Sequence, residues 1–306
     1  MKRFLQHIVH FIGFTLLGYI VLICFWGELA TDSFKKNLHY KIGYYGHMFS
    51  RINDIQDEKD VDILFLGSSH VYRGLDPRIF ETYGFKAFNL GSSAQTPIQT
   101  QLLLHRYLEV LNPDIIIYDI YPESFDSDGV ESALDIISNS NNDFESIKMA
   151  LKVNHIKVYN TLIYGFYRDI FKRNNHFVEH LRKGTDTYIK NGFVEKDLTY
   201  NDHKYLGSIS WNFKDRQSKA FQKIIELLST KNIPYYLIQI PVTNSRYKAY
   251  NHKDEFDEFL RQYGEYYNFN RLIQLNDSLD FYDTQHLNRN GVALFDTFLI
   301  NTLFIE

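Results

Sequence analysis

The chain has one cysteine, Cys24, among its 306 residues. A single thiol excludes an intrachain disulfide and a thiolate-bound metal cluster. The histidines show no metal-ligand spacing, so neither a metal nor a cofactor is expected. Positive charge is not in excess either. The net charge is −4, and nothing in that balance favours nucleic acid as a partner. Internal repeats and low-complexity tracts are absent, although Leu-Gly-Ser-Ser occurs twice, at 66–69 and 90–93.

Another absence sits at the N-terminus. Lys2 and Arg3 precede a run, 4–26, that carries no Asp, Glu, Lys or Arg. About 20 such residues span a bilayer as a helix. The two basic residues predict a cytoplasmic N-terminus, with the rest of the chain outside. A cleaved signal peptide and a buried core helix are the alternatives. No small-x-small cleavage site follows Trp26, and the bulky Ile23 before Cys24 argues against lipoprotein processing. The expectation is an uncleaved anchor over 1–27 and one domain over 28–306.

What is present beyond the anchor is core-forming. The apolar fraction is 44%, with 23 Tyr and 25 Phe, enough to fill a sizeable interior. Residues 27–57 have helical spacing through Phe34, Leu38, Ile42 and Tyr45, and are expected to form a stalk or packing helix. After that the pattern alternates. Strands are expected at 62–66, 86–90, 114–121, 235–240 and, weakly, 272–275. Helices are expected at 77–83, 98–111, 216–229, 254–266 and 291–303. This alternation predicts an α/β fold: a three-layer sandwich of flavodoxin type around a central parallel sheet. The stretch 122–214 interrupts it and is expected to be a helical insertion that caps the site, faces the membrane or only packs. Within it, 125–142 is acidic and Ser/Asn-rich, as in a flexible loop. Residues 144–172 read as helix, and 183–206 as a polar, solvated face.

Ligands of such folds bind outside the carboxyl ends of the strands. Three motifs fall on that edge. Gly67-Ser68-Ser69-His70 follows the first strand, and Gly91-Ser92-Ser93 follows the second. Asp283-Thr284-Gln285-His286-Leu287-Asn288 follows the last. A serine hydroxyl is a poor nucleophile at neutral pH and needs a base within hydrogen-bond reach. His286 would take the proton from Ser69, and Asp283 would hold the imidazole's tautomer. The amides of Ser69 and Gly91 are candidates for stabilising an oxyanion. Each residue has a plainer role open to it: Gly-Ser-Ser after a strand is often only a turn or a helix cap, and a loop histidine is usually structural. Ser68 is a rival nucleophile and Ser93 a weaker one. His70 is expected to shape the pocket.

These motifs resemble those of the SGNH (GDSL-like) hydrolase superfamily. Gly67-Ser68-Ser69, with Gly74 five residues on, is similar to its Gly-Asp-Ser block with Ser in place of Asp. That variant resembles the membrane-anchored members that act on cell-envelope polymers, the D-alanyl-lipoteichoic acid transfer and alginate O-acetylation proteins. Gly91 matches the second block, and Asp283 with His286 matches the last, Asp-x-x-His. The third block, an Asn after the third strand, is not matched: the chain reads Tyr118-Asp119-Ile120-Tyr121-Pro122-Glu123. Asn89, Gln95 or Tyr121 would have to replace that oxyanion donor. The resemblance covers roughly 60–125 and 215–303.

The resemblance implies a membrane-anchored serine esterase or O-acyltransferase with its domain on the extracytoplasmic side of the cytoplasmic membrane. Its substrate would be an acylated carbohydrate or envelope polymer, and its partner a membrane acyl-donor protein. A catalytically inactive binding or assembly protein of the same fold is the second reading. A soluble lipase-like esterase is the third, and the uncharged N-terminal run speaks against it.

Overall fold

In the computed structural model, which describes residues 1–202 and 206–305, the uncharged N-terminal run lies within helix α1 (Lys2–Leu29). Among the described residues it is the one helix long and apolar enough to cross a membrane. Most of it is exposed; Ile23 and Gly27, near its end, are buried. The expected stalk helix over 27–57 is not formed as one element. It is reduced to a 3-10 turn at Asp32–Phe34 and helix α2 (Met48–Asp54). Gly43, Gly46 and His47 adopt positive φ between them, which a continuous helix does not allow.

The chain then alternates as expected. β1 (Ile63–Leu66) leads into α3 (Ser69–Gly74) and α4 (Pro77–Thr82). β2 (Ala87–Asn89), α5 (Pro97–Leu111) and β3 (Ile115–Asp119) follow. The inserted stretch holds α6 (Pro122–Asp126), α7 (Val130–Asn139), α8 (Phe144–Val153) and α9 (Ile156–Ile170). It continues with strands β4 (Arg182–Lys183), β5 (Asp186–Ile189) and β6 (Phe193–Lys196). The alternation resumes with α10 (Asp215–Thr230), β7 (Tyr235–Gln239), α11 (Asn244–Ala249) and α12 (Lys253–Arg261). β8 (Tyr266–Asn268), α13 (Phe269–Leu272) and α14 (Arg289–Ile300) close it.

Five strands form one parallel sheet in the order β2-β1-β3-β7-β8. Counting only these strands, that is the flavodoxin order 2-1-3-4-5. Side chains alternate across it as the pleat requires. Leu64, Leu66, Ile116, Tyr118 and Leu237 enter one core, shared with Leu102 and Leu103 of α5 and Phe221 and Ile224 of α10. Ile63, Phe65, Ile117 and Ile238 enter the other, shared with Val71 of α3 and Val292, Phe295 and Leu299 of α14. The order reverses between β1 and β3, and the crevice at their carboxyl ends is where the site lies.

Four local expectations are corrected. The fifth strand is β8, not 272–275. Gly264, at φ +153 and packed on the Tyr235 ring, ends the helical stretch early. The chain after it is thereby released to pair Tyr266 with Leu237. The expected loop 125–142 holds α6 and α7, and α7 is buried from Ser132 to Asn139. Two of its polar side chains point inward to partners: Ser132 Oγ meets Ser92 Oγ at 2.8 Å, and Asn139 Oδ1 accepts from the Gly43 amide at 2.6 Å. The helix over 144–172 is two helices, broken at Asn154 in the left-handed region. The polar face 183–206 contains the antiparallel sheet β4-β5-β6. Tyr188 and Val194 are buried against Tyr72, so one side is core. Residues 203–205 of that stretch lie outside the described residues.

Candidate active site

The nucleophile turn is built by β1 running into α3. Gly67 has φ +148, and a Cβ there would lie 2.5 Å from Val71 Cγ2 and 3.1 Å from the Asp119 carbonyl oxygen. Only glycine fits so sharp a turn. Ser68 caps α3, its hydroxyl accepting the His70 amide at 3.4 Å, so Ser68 is committed to the turn. Ser69 heads the helix. Its Oγ lies 2.8 Å from His286 Nε2, and its amide, at the first helical position, has no intrahelical acceptor.

His286 is held from the other side by Asp283. The imidazole Nδ1 is 2.9 Å from Asp283 Oδ2 and 3.1 Å from Oδ1. Asp283 Oδ1 also accepts the amides of Gln285 at 2.7 Å and His286 at 2.9 Å. Burial alone would raise the Asp283 pKa; the hydrogen bond and charge of His286, with those two amides, outweigh it and hold the carboxyl down at about 2. The carboxylate is therefore ionised wherever His286 needs it. The loop is fixed to α14 through Asn288, whose side chain caps that helix and donates to the Leu279 carbonyl at 2.8 Å.

The other candidates are placed differently. Asn89 is fully buried and faces away from the cavity. Its Nδ2 donates to the carbonyls of Val71 at 2.8 Å and Leu75 at 3.3 Å, tying down the end of α3. Its Oδ1 accepts the Gly91 amide at 3.1 Å. Gly91 is thus occupied as a donor and does not line the cavity. A Cβ on it would lie 2.9 Å from the Ser68 carbonyl oxygen, so its glycine lets the β2 turn press on the nucleophile turn. Gln95 and Tyr121 do reach the cavity. Gln95 Nε2 donates to Thr100 Oγ1 at 2.9 Å, and its Oε1 accepts from Ser92 at 2.8 Å. The Tyr121 hydroxyl donates to Gln285 Oε1 at 3.1 Å and accepts from Tyr250 at 2.8 Å. Ser93 Oγ bonds Glu131 Oε1. His70 is buried, its ring 4.2 Å from the Tyr121 ring and 5.3 Å from the His286 ring, centroid to centroid. Burial first, and the His286 charge second, push its pKa well down, so it stays neutral.

A cavity of about 580 Å³ opens over Ser69 and His286. Several of its residues are not among the sequence candidates. Tyr282 stacks on His286. Arg73 pairs with Asp186 through two bonds, of 3.2 and 2.7 Å, and Lys196 lies 3.5 Å from the same carboxylate. Arg246 grips Glu123 at 3.0 and 2.9 Å and donates to Tyr121 at 3.1 Å. Glu131 of α7 and Lys196 of β6 show that the insertion walls the site. Sequence proximity offered a signal for two of these: Arg73 sits inside the first motif, and Tyr282 immediately precedes Asp283. Arg246, Glu131 and Lys196 offered none. Among the described residues, no group of three His, Cys, Asp or Glu is placed to hold a metal ion.

No protein-family model matches the chain, and neither does any curated protein. Solved structures do. A "putative acylhydrolase" from Bacteroides fragilis is similar at 12% identity and a TM-score of 0.40, over 82% of this chain and 94% of that one. A GDSL-like lipase from Bacteroides thetaiotaomicron is similar at 12% identity and a TM-score of 0.25, over 81% and 90%. These are distant likenesses of fold. The chemistry rests on the residues themselves.

Proposed function

We propose that this chain is a membrane-anchored serine esterase or O-acyltransferase that works through an acyl-Ser69 intermediate. The observation that carries the reading is the relay from Ser69 Oγ to His286 Nε2 at 2.8 Å and from His286 Nδ1 to Asp283 at 2.9 Å. Ser69 Oγ attacks an acyl carbonyl while His286 Nε2 takes its proton. The proton passes to the leaving alkoxide, which departs as an alcohol. The acyl-Ser69 ester is then attacked by a second hydroxyl, deprotonated by the same nitrogen, and Ser69 recovers its proton. Water as that acceptor gives hydrolysis, and a sugar or polyol hydroxyl gives transfer. The Ser69 amide is the oxyanion donor best supported by position; a donor of this kind contributes roughly 3–4 kcal/mol.

The site suits a hydroxyl-rich substrate. Its wall mixes Tyr72, Tyr121 and Tyr282 with charged side chains held in ion pairs. We therefore assign the substrate class as acylated cell-surface polysaccharide or envelope polymer. α1 anchors the domain on the outer side of the cytoplasmic membrane, and a membrane acyl-donor protein is the expected partner. The second reading, a binding or assembly protein without turnover, is favoured by one observation: the donors of Gly91 and Asn89 are taken up by protein acceptors.

The deciding experiment treats the full chain in detergent with a fluorophosphonate probe, beside Ser69→Ala and Ser68→Ala. Labelling of wild type and Ser68→Ala, lost only in Ser69→Ala, is the expected result. A well-folded wild type that does not label moves the assignment to the binding reading.

A further inference from the structure

We propose that the turn between α8 and α9 is a second membrane contact, seated in the outer leaflet below the headgroups. This rests on reading α1 as a membrane span. α9 packs lengthwise on the outward half of α1. The Tyr19 hydroxyl donates to Asn160 Oδ1 at 2.5 Å. One α9 turn further on, Tyr164 buries against Ile23 and Leu38 and donates to Glu28 at 3.3 Å. Both helices therefore rise in the same direction, and the N-terminal end of α9 points back towards the bilayer.

The register sets the depth. The uncharged run begins at Phe4, and about 20 residues cross the roughly 30 Å hydrocarbon core. That core ends near Ile23. Tyr19 lies four residues inside it, ~6 Å at the helical rise of 1.5 Å per residue, and Asn160 sits beside it. Ile156 lies one further turn in, ~12 Å below the level of Ile23 at the same rise. α8 and α9 form an antiparallel hairpin: the Asn142 side chain, just before α8, donates to Asp169 Oδ2 at 2.9 Å near the end of α9. The end of α8 thus comes down to the same level as the start of α9.

What the tip presents is fit for that place. Leu151 is 62% exposed and Ile156 53% exposed. Ile147, one turn before Leu151, shares its face. Lys148, Lys152 and Lys157 flank these side chains. Lys148 pairs with Glu145 and Lys152 donates to Gln101 Oε1 at 2.7 Å, contacts that long stems can exchange for the headgroups while the apolar groups enter the acyl region. A lipid surface carrying anionic headgroups matches this pattern of apolar tip and basic collar. Two contacts, the span and the tip, would hold the catalytic domain at a set orientation over the membrane instead of leaving it on a swivel.

The test uses the full chain with Cys24→Ser and a single cysteine carrying an NBD fluorophore, in nanodiscs of phosphatidylcholine and phosphatidylglycerol. The labelled positions are Leu151→Cys, Ile156→Cys, Leu294→Cys on α14 and Phe11→Cys inside the span. Lipids bearing a doxyl group near the headgroup end of the acyl chain act as quenchers. Quenching at 151 and 156, comparable to a membrane-seated probe and absent at 294, is expected. Quenching at 11 without quenching at 151 and 156 would overturn the second contact and leave the anchor standing. The tip would then be a face for a protein partner. No quenching at 11 would overturn the span itself, and the tip proposal with it.

Discussion

The Tyr282 ring lies face to face with the His286 imidazole, with centroids 5.3 Å apart and planes 2° apart. The Tyr282 amide also donates to the His286 carbonyl at 3.1 Å. Two cations sit over the Tyr282 ring, the Arg73 guanidinium at 5.9 Å and the Lys196 ammonium at 5.1 Å from its centroid. The base is therefore held in its plane by a stacked ring and along its long axis by Asp283 and Ser69. A relay this short tolerates little rotation, because proton transfer depends on distance and alignment.

Tyr282→Ala should weaken that hold while leaving all three residues of the relay in place. An aromatic pair contributes about 0.5–1.5 kcal/mol beyond its burial, which corresponds to a fall of roughly 2–12-fold in kcat/KM for an aryl acetate ester. Tyr282→Phe should retain wild-type rates. Equal losses in both variants would show that the hydroxyl, not the stack, matters.

Asp283→Asn should leave the loop in place and remove the charge that steadies protonated His286. The expected loss in kcat is about 10³–10⁴-fold, with fluorophosphonate labelling slowed in proportion. The group also has a stability signature. Its folded pKa, about 2, lies below the ordinary 3.8. Its contribution is therefore present above pH 4 and fades as the pH falls towards 2. Melting temperatures of wild type and variant should converge over that interval.

Asp119 behaves oppositely. It is wholly buried at the end of β3. Its Oδ1 accepts the Ile240 amide at 3.0 Å, and its Oδ2 stands 4.0 Å from His70 Nδ1. Burial lifts its pKa from 3.8 to about 7, against the pull of the Ile240 amide. A raised acid favours the fold below the unfolded value and loses that advantage as the pH rises through the folded one. Asp119→Asn keeps an acceptor for Ile240 and cannot ionise. The variant should gain on wild type between pH 4 and pH 7, by up to ~4 kcal/mol, as read by urea unfolding at each pH. A pH-independent difference would contradict the assignment.

Gly91→Ala should act through shape. The added methyl would meet the Ser68 carbonyl at 2.9 Å and the Gly67 carbonyl at 3.2 Å, both backbone atoms of the nucleophile turn. Overpacking costs about 1–3 kcal/mol. Displacing Ser69 from a 2.8 Å bond should reduce turnover at least tenfold. Labelling rate against melting temperature separates the two effects: a stable variant with slow labelling is expected.

How much of this was legible without coordinates follows from the range of the forces. The strand β1 is an unbroken apolar run, and β3 and β7 are apolar up to their last residues, Asp119 and Gln239, because both faces of a parallel sheet are covered, so local pattern sufficed for them and for the layered α/β class. Gly67-Ser68-Ser69 and Asp283-x-x-His286 carry their geometry in short spacings, a tight turn and an i,i+3 pair, and both stand out in the bare chain. α7 does not. Its Ser132 and Asn139 look solvated in sequence, and become core because Ser92 and Gly43 arrive from 40 and 96 residues away to bond them. The same holds for Asn89, a plausible oxyanion donor by position, which packing turned towards the α3 carbonyls. It holds also for Arg246, Glu131 and Lys196, which reach the cavity from three separate elements. The sequence by itself determined the anchor-like helix, the alternation of strands and helices, and the residue types capable of acyl chemistry, all properties of neighbours along the chain. Tertiary structure alone decided which donors face the cavity, which polar groups are buried, and how α9 lies along α1. Those depend on hydrogen-bond partners and packed surfaces far apart in the chain, which no local spacing encodes.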